Sequence, residues 1–166
     1  IVDKDGATVP TGEVGEIAIR GHNVMKGYYN KPEANEKSID PDSWFYSGDL
    51  GRLDDEGYLF IVDRVKDMII RGGYNIYPRE IEEVLMTHES VSLASVIGID
   101  HPRHGEEVKA FIVPKPGVMV TSEEIVEWSK ANMASYKYPR IVEIRDNLPM
   151  TATGKILKKE LKAEQT

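Results

Sequence analysis

Thr151-Ala152-Thr153-Gly154-Lys155 sets a long, flexible ammonium directly behind a glycine in a polar stretch. Such a side chain can enter a site from outside as a mobile point charge. It does not belong to a nucleotide phosphate loop, which needs a glycine five residues before the second one and Ser or Thr after the lysine. Those places hold Pro149 and Ile156. A plain exposed lysine is the simpler account of the same residue. In Tyr46-Ser47-Gly48-Asp49 a tight turn presents a carboxylate that can accept from two hydroxyls of a ribose, although turn chemistry alone also explains it. Asp63-Arg64-Val65-Lys66-Asp67 carries four charges in five residues between apolar runs. By composition it is a solvated connector, or else a hinge whose basic residue also reaches phosphate. Arg71-Gly72-Gly73-Tyr74-Asn75 has glycines where a backbone turns or something approaches it closely. That suits a hairpin turn, or a thin wall along which an extended ligand lies. His101 and His104 have no third partner at metal-ligand spacing, so no metal site is expected.

The elements that must position these residues follow from the apolar pattern. Ile17 and Ile19 alternate with Glu16 and Arg20, and glycines cut the first third into short strands, so this part reads as all-β, with Tyr58 to Val62 the clearest later strand. From about Lys66 the pattern changes. Asp67 to Arg71 reads as a strand closed by Gly72-Gly73. Pro78 sits where a first helical residue is tolerated, and Ile81, Val84, Leu85 and His88 follow on one helical face. Val91 to Ile99 and Val108 to Val113 are strands, Thr121 and Glu124 form a capping box opening a helix with Ile125, Val126, Trp128 and Met133, and Ile141 to Ile144 is another strand. Ile156, Leu157 and Leu161 lie on a last, lysine-rich helix whose lysines at 158, 159 and 162 are expected to be solvated. The fold class is α+β: a small carboxy-terminal domain with a short β-sheet flanked by helices, after a β-rich lead-in.

Composition narrows the partners. The 166 residues carry a net charge of −7 with no basic stripe, which speaks against nucleic acid. No apolar run approaches the ~20 residues of a transmembrane span. With no cysteine there is neither a disulfide framework nor a cysteine nucleophile, which fits a reducing compartment, and the cytoplasm is the expected location. The chain begins Ile1-Val2-Asp3 without an initiator methionine, and is expected to be a piece of a longer protein.

In their order, several segments resemble the adenylate-forming superfamily of acyl-CoA synthetases, peptide-synthetase adenylation domains and luciferases. They are Gly12-Glu13-Val14-Gly15-Glu16-Ile17 through Lys26-Gly27-Tyr28-Tyr29, Tyr46-Ser47-Gly48-Asp49-Leu50, Asp63 through Asp67, Gly72-Gly73-Tyr74-Asn75-Ile76-Tyr77-Pro78-Arg79-Glu80-Ile81-Glu82, and Leu148-Pro149-Met150 through Lys155. The resemblance implies two domains: residues 1–65 as the β-rich end of a large amino-terminal domain, and 66–166 as a small domain that swings over it. It implies activation of a carboxylic acid by ATP as an acyl-adenylate, followed by displacement of AMP by CoA, with Mg²⁺ accompanying ATP on ligands outside this chain.

By the same resemblance Lys155 is the adenylation lysine, Asp49 holds the ribose hydroxyls, Arg64 assists at ribose and phosphates, and Lys66 is the hinge. That last position is aspartate in many members. Gly72 and Gly73 line the pantetheine path, while His104, Tyr136 and Tyr138 stand where relatives contact the CoA nucleotide. The family's phosphate loop and acyl pocket precede this segment, so the partner of the chain is its own large domain and the chain alone is expected to be inactive. Gly72-Gly73-Tyr74-Asn75-Ile76-Tyr77-Pro78 resembles free-standing fatty-acyl or aryl CoA ligases more than the arginine-rich counterpart of peptide-synthetase domains. An AMP-forming ligase for a medium- or long-chain fatty acid is therefore expected. The alternatives are an adenylation domain loading a carrier-protein thiol, and a non-catalytic interaction fragment.

Overall fold

The computed structural model describes residues 1–165. The chain divides after Lys66 into two compact units. In the first, β1 (Gly15–Ile19), β2 (Phe45–Leu53) and β3 (Leu59–Arg64) form an antiparallel sheet in that order. One helix, α1 (Pro32–Ser38), interrupts the part that the pattern makes all-β. It has no apolar periodicity and buries no residue. Pro32 opens it, and Asn35 ties it to the preceding turn by accepting from the Tyr28 N–H at 2.6 Å and donating to the Tyr28 carbonyl at 3.1 Å. β3 runs two residues past the expected end, so Asp63 and Arg64 are strand rather than connector, and Asp63 is buried. Only Val65–Asp67 remains as a single 3₁₀ turn, with Lys66 exposed.

The second unit is built on β7 (Gly105–Pro114). β6 (Val91–His101) pairs along one edge of it in antiparallel register from Leu93–Val113 to His101–Gly105. Its other edge is shared by β4 (Ile69–Arg71), through Arg71 and Gly105, and by β8 (Ile141–Ile144), in parallel from Lys109–Ile141 to Ile112–Ile144. A parallel neighbour requires a crossover, and α3 (Ser122–Asn132) supplies it. β5 (Tyr74–Ile76) completes a hairpin with β4. α2 (Pro78–Leu85) begins at the proline as its sequence indicates, but stops three residues before His88.

The near-continuous apolar runs of β6 and β7 are those of strands covered on both faces. On one face Val96, Val108, Ala110 and Ile112 pack with Ile81 and Leu85 of α2 and Ile125 of α3. On the other, Ile97 and Phe111 pack with Leu148 and with Leu161 of α4 (Lys158–Ala163). Each fully buried Ile or Phe there contributes about 1.5–3 kcal/mol. α4 is shorter than expected: Ile156 lies outside it, bridged to Met150, and Leu157 is its cap. Its first lysine is not solvated, since Lys158 is paired with Glu82 of α2 at 2.7 Å. No helix of the described residues is long and apolar enough to cross a membrane.

The capping box of α3 is present in both directions. Thr121 Oγ1 accepts from the Glu124 N–H, and the Glu124 carboxylate accepts from the Thr121 N–H at 2.7 Å. Thr121→Ala should lower the unfolding free energy of the second unit by about 1 kcal/mol in urea denaturation, and a loss below about 0.3 kcal/mol would show that the box carries no weight.

Candidate functional site

Asp49 and Arg64 are directly opposite one another on β2 and β3. That register brings the Arg64 Nε–H to Asp49 Oδ1 at 2.7 Å, with both side chains part exposed. Ser47 Oγ accepts from the Asp49 N–H at 3.1 Å, and Gly48, at φ +74, donates its N–H to the Glu16 carboxylate at 2.9 Å. Tyr46–Asp49 is therefore not a tight turn but part of β2, at the irregularity where its pairing with β1 passes from Ala18–Tyr46 to Glu16–Leu50, and the segment is held from both sides. Arg64 occupies one acceptor position of the Asp49 carboxylate, whose two oxygens offer about four, so the group keeps acceptor capacity for further donors.

In the second unit, Gly72 and Gly73 are the two central residues of the β4–β5 hairpin, with φ of +57 and +85. Positive φ at both positions is what a two-residue turn of the hairpin kind demands, and only glycine adopts it without strain. The hairpin reading is therefore correct, and the same glycines also leave a side-chain-free backbone edge. The Gly72 N–H donates to the His104 carbonyl at 2.8 Å, which joins this turn to the β6–β7 turn. His104 stacks on His101 at 4.8 Å. Burial, then the positive charge of Arg71, pushes the His104 imidazole below its ordinary value. Tyr136 stacks on Tyr74 of β5 at 4.7 Å, and Tyr138 lies under the Arg140 guanidinium at 4.3 Å.

One residue that the sequence does not single out stands between these segments. Glu107 of β7 is buried, accepts from Arg71 Nε–H and from the Val108 N–H at 2.7 and 2.9 Å, and lies 3.8 Å from Arg140 Nη1. Burial pushes its carboxyl up, but the Arg71 hydrogen bond, the Val108 N–H and the two guanidinium charges outweigh that and hold it below the usual carboxylate range. Its only trace in the sequence is a carboxylate at the head of an apolar run.

Lys155 stands apart, on a turn whose two ends are tied down. Leu148, Ile156 and Leu161 enter the second-face core, and Met150 bridges Ile156. Within the turn the Thr151 N–H donates to the Lys155 carbonyl at 2.8 Å and the Lys155 N–H to Thr151 Oγ1 at 3.1 Å. Gly154 has φ +81 and open space where a side chain would point. The Lys155 side chain is exposed, and no ion pair holds its ammonium among the described residues. The loop is a preformed support rather than a loose end. No group of three His, Asp or Glu residues capable of holding a metal ion occurs among the described residues.

Residues 80–155 match the family described as AMP-binding enzyme C-terminal domain. A feruloyl-CoA synthase of an Amycolatopsis species is 48% identical over 95% of this chain, and the match takes up 32% of that protein. A long-chain-fatty-acid–CoA ligase of Bacillus subtilis is 45% identical over 99% of this chain and 29% of its own length. Among solved structures, o-succinylbenzoate CoA synthetase (MenE) of Bacillus subtilis in complex with the acyl-adenylate intermediate OSB-AMP superposes with a TM-score of 0.86. It is 40% identical, over 97% of this chain and 33% of that one. The chain spans about a third of the length of the relatives it matches.

Two carboxylates give the second unit an acid sensitivity. Glu107 is held below its ordinary range as described, and Glu143 likewise by hydrogen bonds from Lys109 and Arg145. Folded values below the unfolded one, about 4.3, stabilise the fold fully above that pH and lose their contribution as pH falls beneath it. Thermal melts should be flat in these terms from pH 7 to about 5 and then fall, with a shallower fall in Arg71→Met. An identical acid limb in wild type and Arg71→Met would show that the Glu107 pair is not its source.

Proposed function

The chain belongs to the adenylate-forming superfamily of AMP-binding enzymes, and from that premise we propose that it acts as the carboxy-terminal part of an AMP-forming acyl-CoA ligase. The observation that carries the reading is the Lys155 turn: a braced, glycine-preceded loop that presents an ammonium with no ion-pair partner among the described residues. Such a charge is useful where negative charge gathers on several oxygens at once.

In the first half-reaction a carboxylate oxygen of the acid attacks the α-phosphorus of ATP and the bond to pyrophosphate breaks, leaving acyl-AMP. Lys155 sits against the carboxylate and α-phosphate oxygens in this step. Asp49, through the acceptor positions that Arg64 does not occupy, accepts from the ribose hydroxyls, while the remaining donors of Arg64 serve ribose and phosphate. In the second half-reaction the CoA sulfur attacks the acyl carbon, the bond to AMP breaks, and the thiol proton is lost to solvent or base. The backbone edge at Gly72 and Gly73 takes the pantetheine arm, and His104, Tyr136 and Tyr138 take the nucleotide end. Lys66, exposed in the 3₁₀ turn where the chain divides, is the hinge. Mg²⁺ accompanies ATP and shields its phosphates, with no ligand cluster for it among the described residues.

The acid we propose is a medium- or long-chain fatty acid. Support comes from the long-chain-fatty-acid–CoA ligase that is 45% identical, while the feruloyl-CoA synthase at 48% makes an aryl acid the competing class. The large domain of the same protein supplies the acid pocket and phosphate loop, and the cysteine-free composition suits a cytoplasmic reaction.

Lys155→Ala in the full-length protein should slow ATP–pyrophosphate exchange by about 10²- to 10³-fold and leave CoA transfer from supplied acyl-adenylate nearly unchanged. An equal fall in both steps would remove the step-specific role. Exchange measured with a panel of fatty and aryl acids decides the acid, and turnover by the 166-residue chain alone would refute its dependence on the large domain.

Lys66→Pro locks φ near −65°, so a true hinge should lose one half-reaction and keep the other. Equal loss of both in a folded variant would exclude a hinge at this position.

A further inference from the structure

Glu107 has 4% of its surface exposed, and no step of the proposed reaction uses it. Its two cationic partners come from different segments. Arg71 immediately precedes Gly72, has a side chain 12% exposed and donates to Glu107 Oε1 at 2.7 Å. Arg140 reaches the same oxygen at 3.8 Å. The Arg140 Nη2–H also donates to the Ser135 carbonyl at 2.8 Å, and its guanidinium covers the Tyr138 ring. Gly105, two residues before Glu107, is the backbone partner of Arg71, and the Gly72 N–H is bonded to the His104 carbonyl. The Tyr74–Tyr136 stack closes the circuit between the hairpin and the loop of residues 134–140. One carboxylate and two guanidinium groups therefore connect all three segments that carry Gly72, Gly73, His104, Tyr136 and Tyr138.

A buried carboxylate cannot be left without its cations, so this arrangement holds its neighbours to a single geometry. None of the bonds described for Glu107, Arg71 or Arg140 reaches the Lys155 turn. That turn is braced separately, by the second-face core and by Lys158 on Glu82. The two halves of the chemistry thus rest on separate supports within one small unit.

We propose that Glu107 is a positioning residue for the CoA half-reaction: through Arg71 and Arg140 it holds the glycine hairpin, the His104 turn and the Tyr136–Tyr138 loop in the one arrangement that receives CoA. The inference rests on the proposed acyl-CoA ligase reading. Glu107 touches neither substrate in this role, and its effect passes through the two arginines.

Glu107→Gln keeps a hydrogen-bond acceptor but removes the charge. Arg140→Met, at a side chain 32% exposed, removes the link from Glu107 to the 134–140 loop together with the Arg140 contacts to the Ser135 carbonyl and the Tyr138 ring, leaves Glu107 and Arg71 in place, and guards against a Glu107 variant that fails to fold. Both are made in the full-length protein and followed by ATP–pyrophosphate exchange and by the KM for CoA and for ATP in the complete reaction. The KM for CoA should rise about tenfold or more, the scale of one lost charge-assisted hydrogen bond, with exchange rate and KM for ATP unchanged. A merely structural role would depress both half-reactions together, and that outcome overturns the proposal. So does an unchanged KM for CoA in the folded variants. Exchange intact in the wild type with no CoA effect sinks this inference alone. No exchange by the wild type with any acid sinks the ligase reading, and this inference with it.

Discussion

The double burial of β7 is the constraint on which the second unit depends. A strand with apolar side chains on both faces must be covered on both, and the cover has to come from elsewhere in the chain. Val108, Ala110 and Ile112 call α2 and α3 to one side, and Phe111 calls Leu148 and Leu161 to the other. Those two layers settle where the intervening loops emerge. The Lys155 turn lies between two residues of the second layer, Leu148 and Leu161, and so projects from a rigid base although its own residues are exposed. The glycine hairpin is attached to the same strand through Arg71 and Gly105. Hydrophobic burial thereby determines where the polar chemistry stands without contributing any of it.

Electrostatics act within that frame, and their weight varies with exposure. Lys4–Asp5, Arg79–Glu83 and Lys130–Glu127 are exposed pairs worth no more than about 1 kcal/mol each. Arg71–Glu107 and Lys158–Glu82 are another matter, with side chains mostly withdrawn from water. Their net gain over an apolar pair is small, but removing one partner strands a buried charge at a cost of about 3–5 kcal/mol. Pairs of this kind specify arrangement more than they add stability. Here Arg71–Glu107 ties the first strand of the glycine hairpin to β7, and Lys158–Glu82 ties the start of α4 to the middle of α2. Lys109 and Arg145 do the same around Glu143, and Arg145 continues to Glu164 at the end of α4.

Local rules were sufficient for much of the fold and for the local conformation of the glycine pair. Periodicity located β6, β7, β8, α2 and α3, and the capping box and the Pro78 start depend on neighbours within four residues, which a sequence displays directly. The glycine pair was legible as a hairpin because two positive φ angles admit little else. The missed helix, Pro32–Ser38, has no apolar face to announce it and is held by a side-chain clamp from Asn35 to Tyr28. Strand β3 outran its expected end because charged Asp63 and Arg64 look like a connector, while their pairing with Leu50 and Asp49 makes them strand.

What the sequence by itself determined is the inventory: an α+β chain, its hairpin glycines, and the charged and hydrogen-bonding side chains available for polar chemistry. Tertiary structure alone decided which of these lie together. The Asp49–Arg64 bond follows from a cross-strand register, and Glu107 gains its place from partners 36 residues before it and 33 after it. Lys158, one of three similar lysines near the end of the chain, differs from Lys159 and Lys162 only because Glu82 lies opposite it. Charge and hydrogen-bonding capacity are properties of a residue type and are read from its letter. Burial and partnership are properties of position, and they exist only once sheet register and helix packing have brought distant segments within bonding distance.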